Sequence, residues 1–226
     1  MTDLYLKQIA VGPMANFAYL IGSQRTRECF VVDPAWDVVA LQRAAAEANM
    51  KIVGALLSHY HPDHCGGHLF GHDIQGVAEL IRAADIPIYA HKDEVHGVQT
   101  VTGLPRAAIK ACDSGDKLSL GDIEITLIHT PGHTPGSQCF LCEERLISGD
   151  TLFLSGCGRV DLPGGDSDQL YDSLANKLAK LPPSTIIYPG HHYDAEDHAT
   201  LAEIKQVNPF LQANSPAAWK RLFNHA

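Results

Sequence analysis

The sequence contains no block of lysine and arginine: 17 basic residues stand against 26 acidic ones, for a formal net charge of −9. Without a basic stripe there is nothing to displace counterions from a phosphate backbone, so nucleic acid is excluded as a partner. No apolar run approaches the roughly 20 residues that a membrane helix needs, and no membrane partner is expected. Met1-Thr2-Asp3-Leu4-Tyr5-Leu6-Lys7 lacks a basic start followed by an apolar core, which reads as a cytoplasmic protein. Six cysteines (Cys29, Cys65, Cys112, Cys139, Cys142, Cys157) are scattered. Cys139 and Cys142 form a C-x-x-C with no second pair, inside a strand-like segment, so two half-buried thiols are a better reading than a zinc ribbon or a redox motif. The glycine-rich stretch 155–166 has no Gly-Lys-Ser/Thr ending and does not fit a phosphate cradle. No fixed-period repeat and no linker rich in Pro, Gly or Ser breaks the chain. The expectation is one domain over 1–226, with 194–226 as a short helical C-terminal tail.

What is present is an alternation of strands and helices. Of 226 residues, 45% are hydrophobic, enough for a sizeable core. Short apolar or alternating runs predict strands at 4–11, 17–21 and 29–32. Val38, Leu41, Ala45 and Ala48 recur at helical spacing, predicting a helix over 37–49 that Asn49 stops. The run 52–57 then reads as a buried strand. A helix-like run over Val77, Leu80, Ile81 and Ala84 follows, with strands at 86–90, 117–120, 122–129, 138–141, 145–148 and 186–188. The span 100–112 has no strong period and is expected as a loop or short helix over the site mouth. Residues 167–181 should form an amphipathic helix capped by Ser167, with later helices at 199–207 and 216–223. Strand, helix, strand is the grammar of an α/β layer.

The densest chemistry lies in Ser58-His59-Tyr60-His61-Pro62-Asp63-His64-Cys65-Gly66-Gly67, just after a buried strand. His59 and His61 are two apart, so in extended chain they project the same way and can clamp one ion. Pro62 then bends the chain, and Asp63 and His64 can face a neighbouring point that suits a second ion. Cys65 borders the cluster and is a candidate for oxidation, but adjacency to a ligand does not make it one. His133 is pinned between two Pro-Gly turns after a strand, Asp150 ends another, and His191 follows a third. Taken alone, Asp150 would be read as a turn cap. His68, His72 and Asp73 read as a surface loop near the site, and His91 and His96 as exposed or capping residues.

Together His59, His61, Asp63, His64, His133, Asp150 and His191 resemble the metallo-β-lactamase superfamily, whose signature is His-x-His-x-Asp-His followed in order by His, Asp and His. The resemblance implies a four-layer αβ/βα sandwich, two facing mixed β-sheets flanked by helices, with metals at one edge. It implies that His59, His61 and His133 hold a first metal and Asp63, His64 and His191 a second, with Asp150 bridging them. Two divalent ions are implied, Zn²⁺ first, with iron or manganese as alternatives. Two cations about 3.5–4 Å apart need an anionic group between them. Within the superfamily, Gly149-Asp150-Thr151-Leu152-Phe153 and Pro189-Gly190-His191-His192-Tyr193 look like hydroxyacylglutathione hydrolases (glyoxalase II). Gly156-Cys157-Gly158-Arg159-Val160-Asp161 looks more like persulfide dioxygenases.

The reading that follows is a metal-dependent hydrolase, a thioesterase in which a metal-bound hydroxide attacks an acyl thioester, with Asp63 and Asp150 in catalytic roles. By the resemblance, Arg159 and Tyr193 match positions that touch glutathione. Glyoxalase II has an extended helical C-terminal region that grips glutathione, whereas little chain follows His191 here; Lys220 or Arg221 are candidates to replace its basic contacts. The substrate is then a small-molecule or carrier-bound thioester, and the chain a monomer or homodimer. A mononuclear Fe(II) persulfide dioxygenase using His59, His133 and Asp150 is the alternative. A non-catalytic metal-binding homologue and a β-lactam hydrolase stand behind it.

Overall fold

A computed structural model describes residues 3–223; the outermost residues of the expected domain, 1–2 and 224–226, lie outside the described residues. The first half runs β1 (Leu4–Val11), β2 (Asn16–Ser23), β3 (Glu28–Val32), α1 (Val38–Glu47) and β4 (Lys51–Leu56). The short helix α2 (Pro62–Cys65) follows, then the hairpin β5 (Gly67–Leu69) and β6 (His72–Ile74). Next come α3 (Val77–Ala83), β7 (Ile88–His91), α4 (Val95–Thr102) and β8 (Ile109–Cys112). The second half holds β9 (Lys117–Leu120), β10 (Ile123–His129), β11 (Gln138–Cys142), β12 (Arg145–Gly149) and α5 (Ser167–Asp172). It closes with β13 (Ile186–Pro189), β14 (Ala199–Thr200), α6 (Leu201–Val207), α7 (Pro209–Gln212) and α8 (Pro216–Phe223).

Two mixed six-stranded sheets result, in the orders β1-β2-β3-β4-β7-β8 and β14-β13-β12-β11-β10-β9. Period-two alternation decides what each face touches. In β2, Phe17, Tyr19 and Ile21 point between the sheets, while Ala18 and Leu20 point to the helices outside. The inter-sheet layer joins these to Phe30, Val32 and Leu56 and, from the second sheet, to Ile123, Ile125, Leu127, Phe140 and Ile147. Outside the first sheet, α1, α3 and α4 bury Val38, Leu41, Leu80 and Val98. Outside the second, Leu170, Leu174 and Leu178 pack with Leu201, Ile204 and Trp219. The four layers are therefore helix, sheet, sheet, helix, as the resemblance implies.

Local chemistry sets the helix ends. The Asp37 side chain accepts the Ala40 N–H at 2.8 Å and starts α1, and Asn49 takes the left-handed conformation (φ 54°) just after it. Thr200 and Glu203 form a capping box at α6. Three expectations are corrected. Asp166, not Ser167, caps α5, because its carboxylate reaches the N–H groups of both Asp168 and Gln169; beyond Asp172 the helix widens into a π turn and then tightens into a 3₁₀ turn. The span 100–112 is not a cover for the site mouth: it ends α4 and then forms β8, an edge strand parallel to β7. Its buried Ile109 and Cys112 enclose two exposed residues, which hides the alternation. His91 is fully buried at the end of β7, whereas His96 is exposed as expected.

Cys139 faces the helices of the second half and Cys142 faces the other sheet, so the C-x-x-C thiols lie on opposite sides of β11. Both are fully buried rather than half-buried, and neither can share a metal or a disulfide with the other.

Trp219 anchors α8. It is fully buried, its indole N–H reaches the carbonyl and hydroxyl oxygens of Ser167, each at 2.9 Å, and Phe210, Phe223 and Tyr171 surround it. Trp219→Ala should cost about 3–5 kcal/mol of stability, measured as a lower midpoint in urea unfolding.

Candidate metal centre

Strands β4, β10, β12 and β13 all deliver their C-terminal ends to one rim, where the turns that follow carry the chemistry. The two sheets are tied together there: Gln138 N–H donates to the Ser58 carbonyl at 2.9 Å and its side-chain amide to the Leu57 carbonyl at 2.8 Å. Phe17 N–H donates to the Gly190 carbonyl at 2.8 Å. All seven predicted groups meet there. His59, His61 and His133 form one triad of converging donor atoms, Asp63, His64 and His191 a second, and Asp150 joins His59 and His64 in a third grouping that overlaps both. His59, Asp63, His64, His133 and His191 are buried.

The hydrogen bonds on the far side of each ring fix which nitrogen faces inward. His133 Nδ1 donates to the Arg159 carbonyl at 2.8 Å, and His191 Nδ1 to the Met14 carbonyl at 2.9 Å. The Asp33 carboxylate takes the Ser58 hydroxyl at 2.6 Å and His64 Nδ1 at 3.1 Å. The same hydroxyl is 3.0 Å from His59 Nδ1, which donates to it. Lone pairs of Nε2 therefore point into the centre. His61 Nδ1 sits 3.0 Å from both His59 Nε2 and His133 Nε2, and a single proton there can satisfy one of them only. A cation among the three satisfies all, and three imidazoles suit zinc, copper, iron or nickel.

The second triad tells the same story through charge. His64 Nε2 lies 3.1 Å from His191 Nε2, 3.3 Å from Asp150 Oδ1 and 3.5 Å from Asp63 Oδ2. Burial alone would depress His64, but Asp150, Asp63 and Asp33 override it and raise its pKa to about 10. Asp150, whose burial alone would raise it, is instead held well below the usual carboxylate range by His64 and His191. Burial and neighbouring imidazoles push His59 well down and His61 to about 4. Asp150 Oδ1 is buried with no hydrogen-bond donor, an orphan that a bound cation would satisfy. The donors thus fit divalent metal ions.

The sequence pattern of the metallo-beta-lactamase superfamily matches residues 11–191. The chain belongs to the metallo-β-lactamase superfamily. It is 33% identical over 214 residues to an Arabidopsis thaliana cytoplasmic hydroxyacylglutathione hydrolase, covering 91% of this chain and 74% of that protein. The fold superposes on ETHE1 from Myxococcus xanthus with a TM-score of 0.81 and 27% identity, covering 97% of this chain and 90% of that one. It also superposes on TTHA1623 in a di-iron-bound form, with a TM-score of 0.75 and 30% identity over 91% of this chain and 100% of that one.

Around the superfamily's ligands stand supports that sequence reading missed. Asp33 directly follows β3, as the candidate ligands follow their strands, and that placement is the signal in the sequence that could have found it. The Asn16 amide donates to Asp63 Oδ2 at 3.0 Å, and Trp36 fixes its orientation by donating to its oxygen at 3.0 Å. Glu94 is fully buried and accepts from Tyr60 N–H (2.7 Å), the Thr134 hydroxyl (2.8 Å) and Gly136 N–H (2.7 Å). Tyr60 lies between His59 and His61, and Thr134 and Gly136 follow His133, so one carboxylate ties both loops. Two glycines are required by close approach: a Cβ on Gly190 would fall 2.3 Å from Asp150 Oδ1, and one on Gly158 2.9 Å from the His133 ring.

Several expectations change here. Arg159 contributes its carbonyl to His133, while its guanidinium forks onto Asp161 at 2.9 and 2.7 Å in solvent. Tyr193 stacks on His191, with ring centroids 4.6 Å apart, and burial together with Asp150 and Asp63 raises its phenol to about 12. Lys220 pairs with Asp168; neither it nor Arg221 lines the cleft over the centre. Cys65 is fully buried, and burial with nearby carboxylates keeps its thiol protonated, which removes it as an oxidation site. His68 pairs with Asp73 in the exposed β5–β6 hairpin. His91 and His129 stack 3.8 Å apart at 11°. Parallel rings cannot aim both lone pairs at one ion, so that pair is not a second centre.

Asp33→Ala should weaken metal affinity about 10–100-fold, measured by competition with a chromophoric chelator. Burial pushes Glu94 up to about 7 from an ordinary 4.5, so its stability contribution is present below pH 4.5 and lost as pH rises through 7. Relative to Glu94→Gln, the unmodified protein should lose stability across that window in urea unfolding; a difference independent of pH would refute it.

Proposed function

We propose that the protein is a dinuclear, zinc-dependent thioester hydrolase. The observation that carries this reading is Asp150, whose carboxylate lies 3.7 Å from His133 of the first triad and 3.3 Å from both His64 and His191 of the second. An anionic group shared by two sets of imidazole donors suits two cations better than one. A single ion would leave one set of inward lone pairs uncompensated. Likeness to a hydroxyacylglutathione hydrolase over most of the chain supports the thioester as the bond attacked.

In this reading His59, His61 and His133 would hold one ion and Asp63, His64 and His191 the other, with Asp150 available to both. Bound divalent ions lower the pKa of coordinated water towards neutrality and polarise a carbonyl. Asp63, with Oδ2 fixed by Asn16, orients the attacking water and takes its proton. The water oxygen bonds to the acyl carbon, and the carbon–sulfur bond breaks with its electron pair on sulfur. A thiol of pKa near 8.5 leaves as thiolate without a dedicated acid. Carboxylate and thiol are the products, with one proton released. Tyr193, protonated at neutral pH, remains a hydrogen-bond donor at the mouth.

Likeness to ETHE1 supports a second reading, a mononuclear Fe(II) persulfide dioxygenase, in which the second triad binds no ion. Metal analysis separates the two. The hydrolase reading expects two ions per chain, zinc-supported hydrolysis of acyl thioesters without oxygen uptake, and a fall towards one ion in Asp150→Asn. One iron per chain with oxygen uptake on glutathione persulfide would replace it with the dioxygenase.

A further inference from the structure

The cleft over the metal centre, about 380 Å³, has a wall that neither the metals nor the hydrolytic step requires. It is built by Leu69 and Phe70 of the β5–β6 hairpin together with Phe153, Leu162 and Tyr193. Leu69 pairs with His72, so the hairpin turns through Phe70 and Gly71 alone. Both take positive φ, 51° and 83°. Two-residue turns of that kind favour Asn, Asp or Gly at the first corner. A phenylalanine there carries backbone strain, and this one is 83% exposed, so it contributes no core packing to offset it. Of the four large apolar side chains most exposed among the described residues (Val39, Phe70, Tyr193, Val207), two stand on this one rim. Among the lining residues Arg159 is the one Lys or Arg side chain, and its guanidinium is engaged by Asp161.

We propose that Phe70 and the β5–β6 hairpin are a specificity-determining wall for an apolar acyl group. The substrate class is then a thioester of a hydrocarbon chain or ring, not of a small hydroxy acid. This rests on the thioesterase reading. The acyl carbonyl lies at the metal centre, and its hydrocarbon part runs outward between Phe70 and the Phe153–Tyr193 pair, whose rings meet at 5.3 Å. Covering it removes apolar surface of both partners from water. Placing a hydroxyl against the apolar faces of Phe70 and Phe153 costs desolvation that a hydrocarbon does not incur.

The test uses the zinc-loaded protein and S-acyl-N-acetylcysteamine thioesters from acetyl to octanoyl, with lactoyl alongside. Each added methylene should raise kcat/KM about fourfold until the cleft is filled, and lactoyl should fall below propanoyl. Phe70→Ser should reduce the gain to less than twofold per methylene. Val39→Ser, which removes a comparably exposed side chain on α1, should leave it at fourfold. A flat or falling series, or an unchanged slope in Phe70→Ser, overturns the proposal while the hydrolase reading stands. Calorimetric binding of straight-chain carboxylates, acetate to octanoate, supplies a readout independent of turnover. Tightening with length that Phe70→Ser abolishes supports the wall even if no thioester is cleaved, an outcome that removes the hydrolase reading alone. Equal affinity from acetate to octanoate overturns the proposal.

Discussion

Crowding of like groups at one rim is the constraint on which the rest of the molecule depends. Four histidine Nε2 atoms, one Nδ1 and two carboxylates converge within a few ångströms of one another, mostly out of contact with water. Left to themselves, inward lone pairs and buried carboxylates repel, and desolvation makes the repulsion worse. Such an arrangement survives only if the backbones that carry it cannot move apart. Two six-stranded sheets pressed together through an apolar layer provide that rigidity, and a cation or a proton provides the missing positive charge. His64 shows the principle: the carboxylates of Asp150, Asp63 and Asp33 around it raise its pKa despite full burial.

Rigidity reaches the donors through a small set of polar supports. Asp33 secures His59 and His64 together, Asn16 fixes Asp63, and Glu94 spans the loops that carry His59, His61 and His133. Each support comes from a different strand end, helix or turn from the group it holds. Each is fully or almost fully buried and has its hydrogen bonds made, the condition under which a polar group inside a protein orders its surroundings instead of destabilising them. The carbonyls of Arg159 and Met14 do the same for His133 and His191, which explains why the loop 155–166 must lie close against the centre.

The mouth follows a different logic. Its rim is largely apolar, with one side chain on a strained corner in solvent, while Arg159 is engaged by Asp161 and Lys220 by Asp168. Charge dominates the floor of the cleft and apolar surface its rim. The two parts are carried by different elements and can vary independently.

The sequence by itself determined the longer strands, though not β5, β6, β8 or β14, because alternation of apolar residues is a local property of the chain that short or edge strands carry weakly; it also determined the candidate ligands, because His-x-His-x-Asp-His and the later His, Asp and His each stand directly after a predicted strand. Tertiary structure decided the rest. Whether Asp150 is a turn cap or lies between two triads depends on β12 pairing with β13 and on that sheet meeting the first, neither of which leaves a mark within a few residues of Asp150. The same holds for His91, buried because β8 and His129 cover it, for the Cys139 and Cys142 thiols, separated by the pleat, and for Asp33, Glu94 and Asn16. A side chain's charge state and partners are set by what the fold brings within a few ångströms of it, and those neighbours lie tens of residues away along the chain.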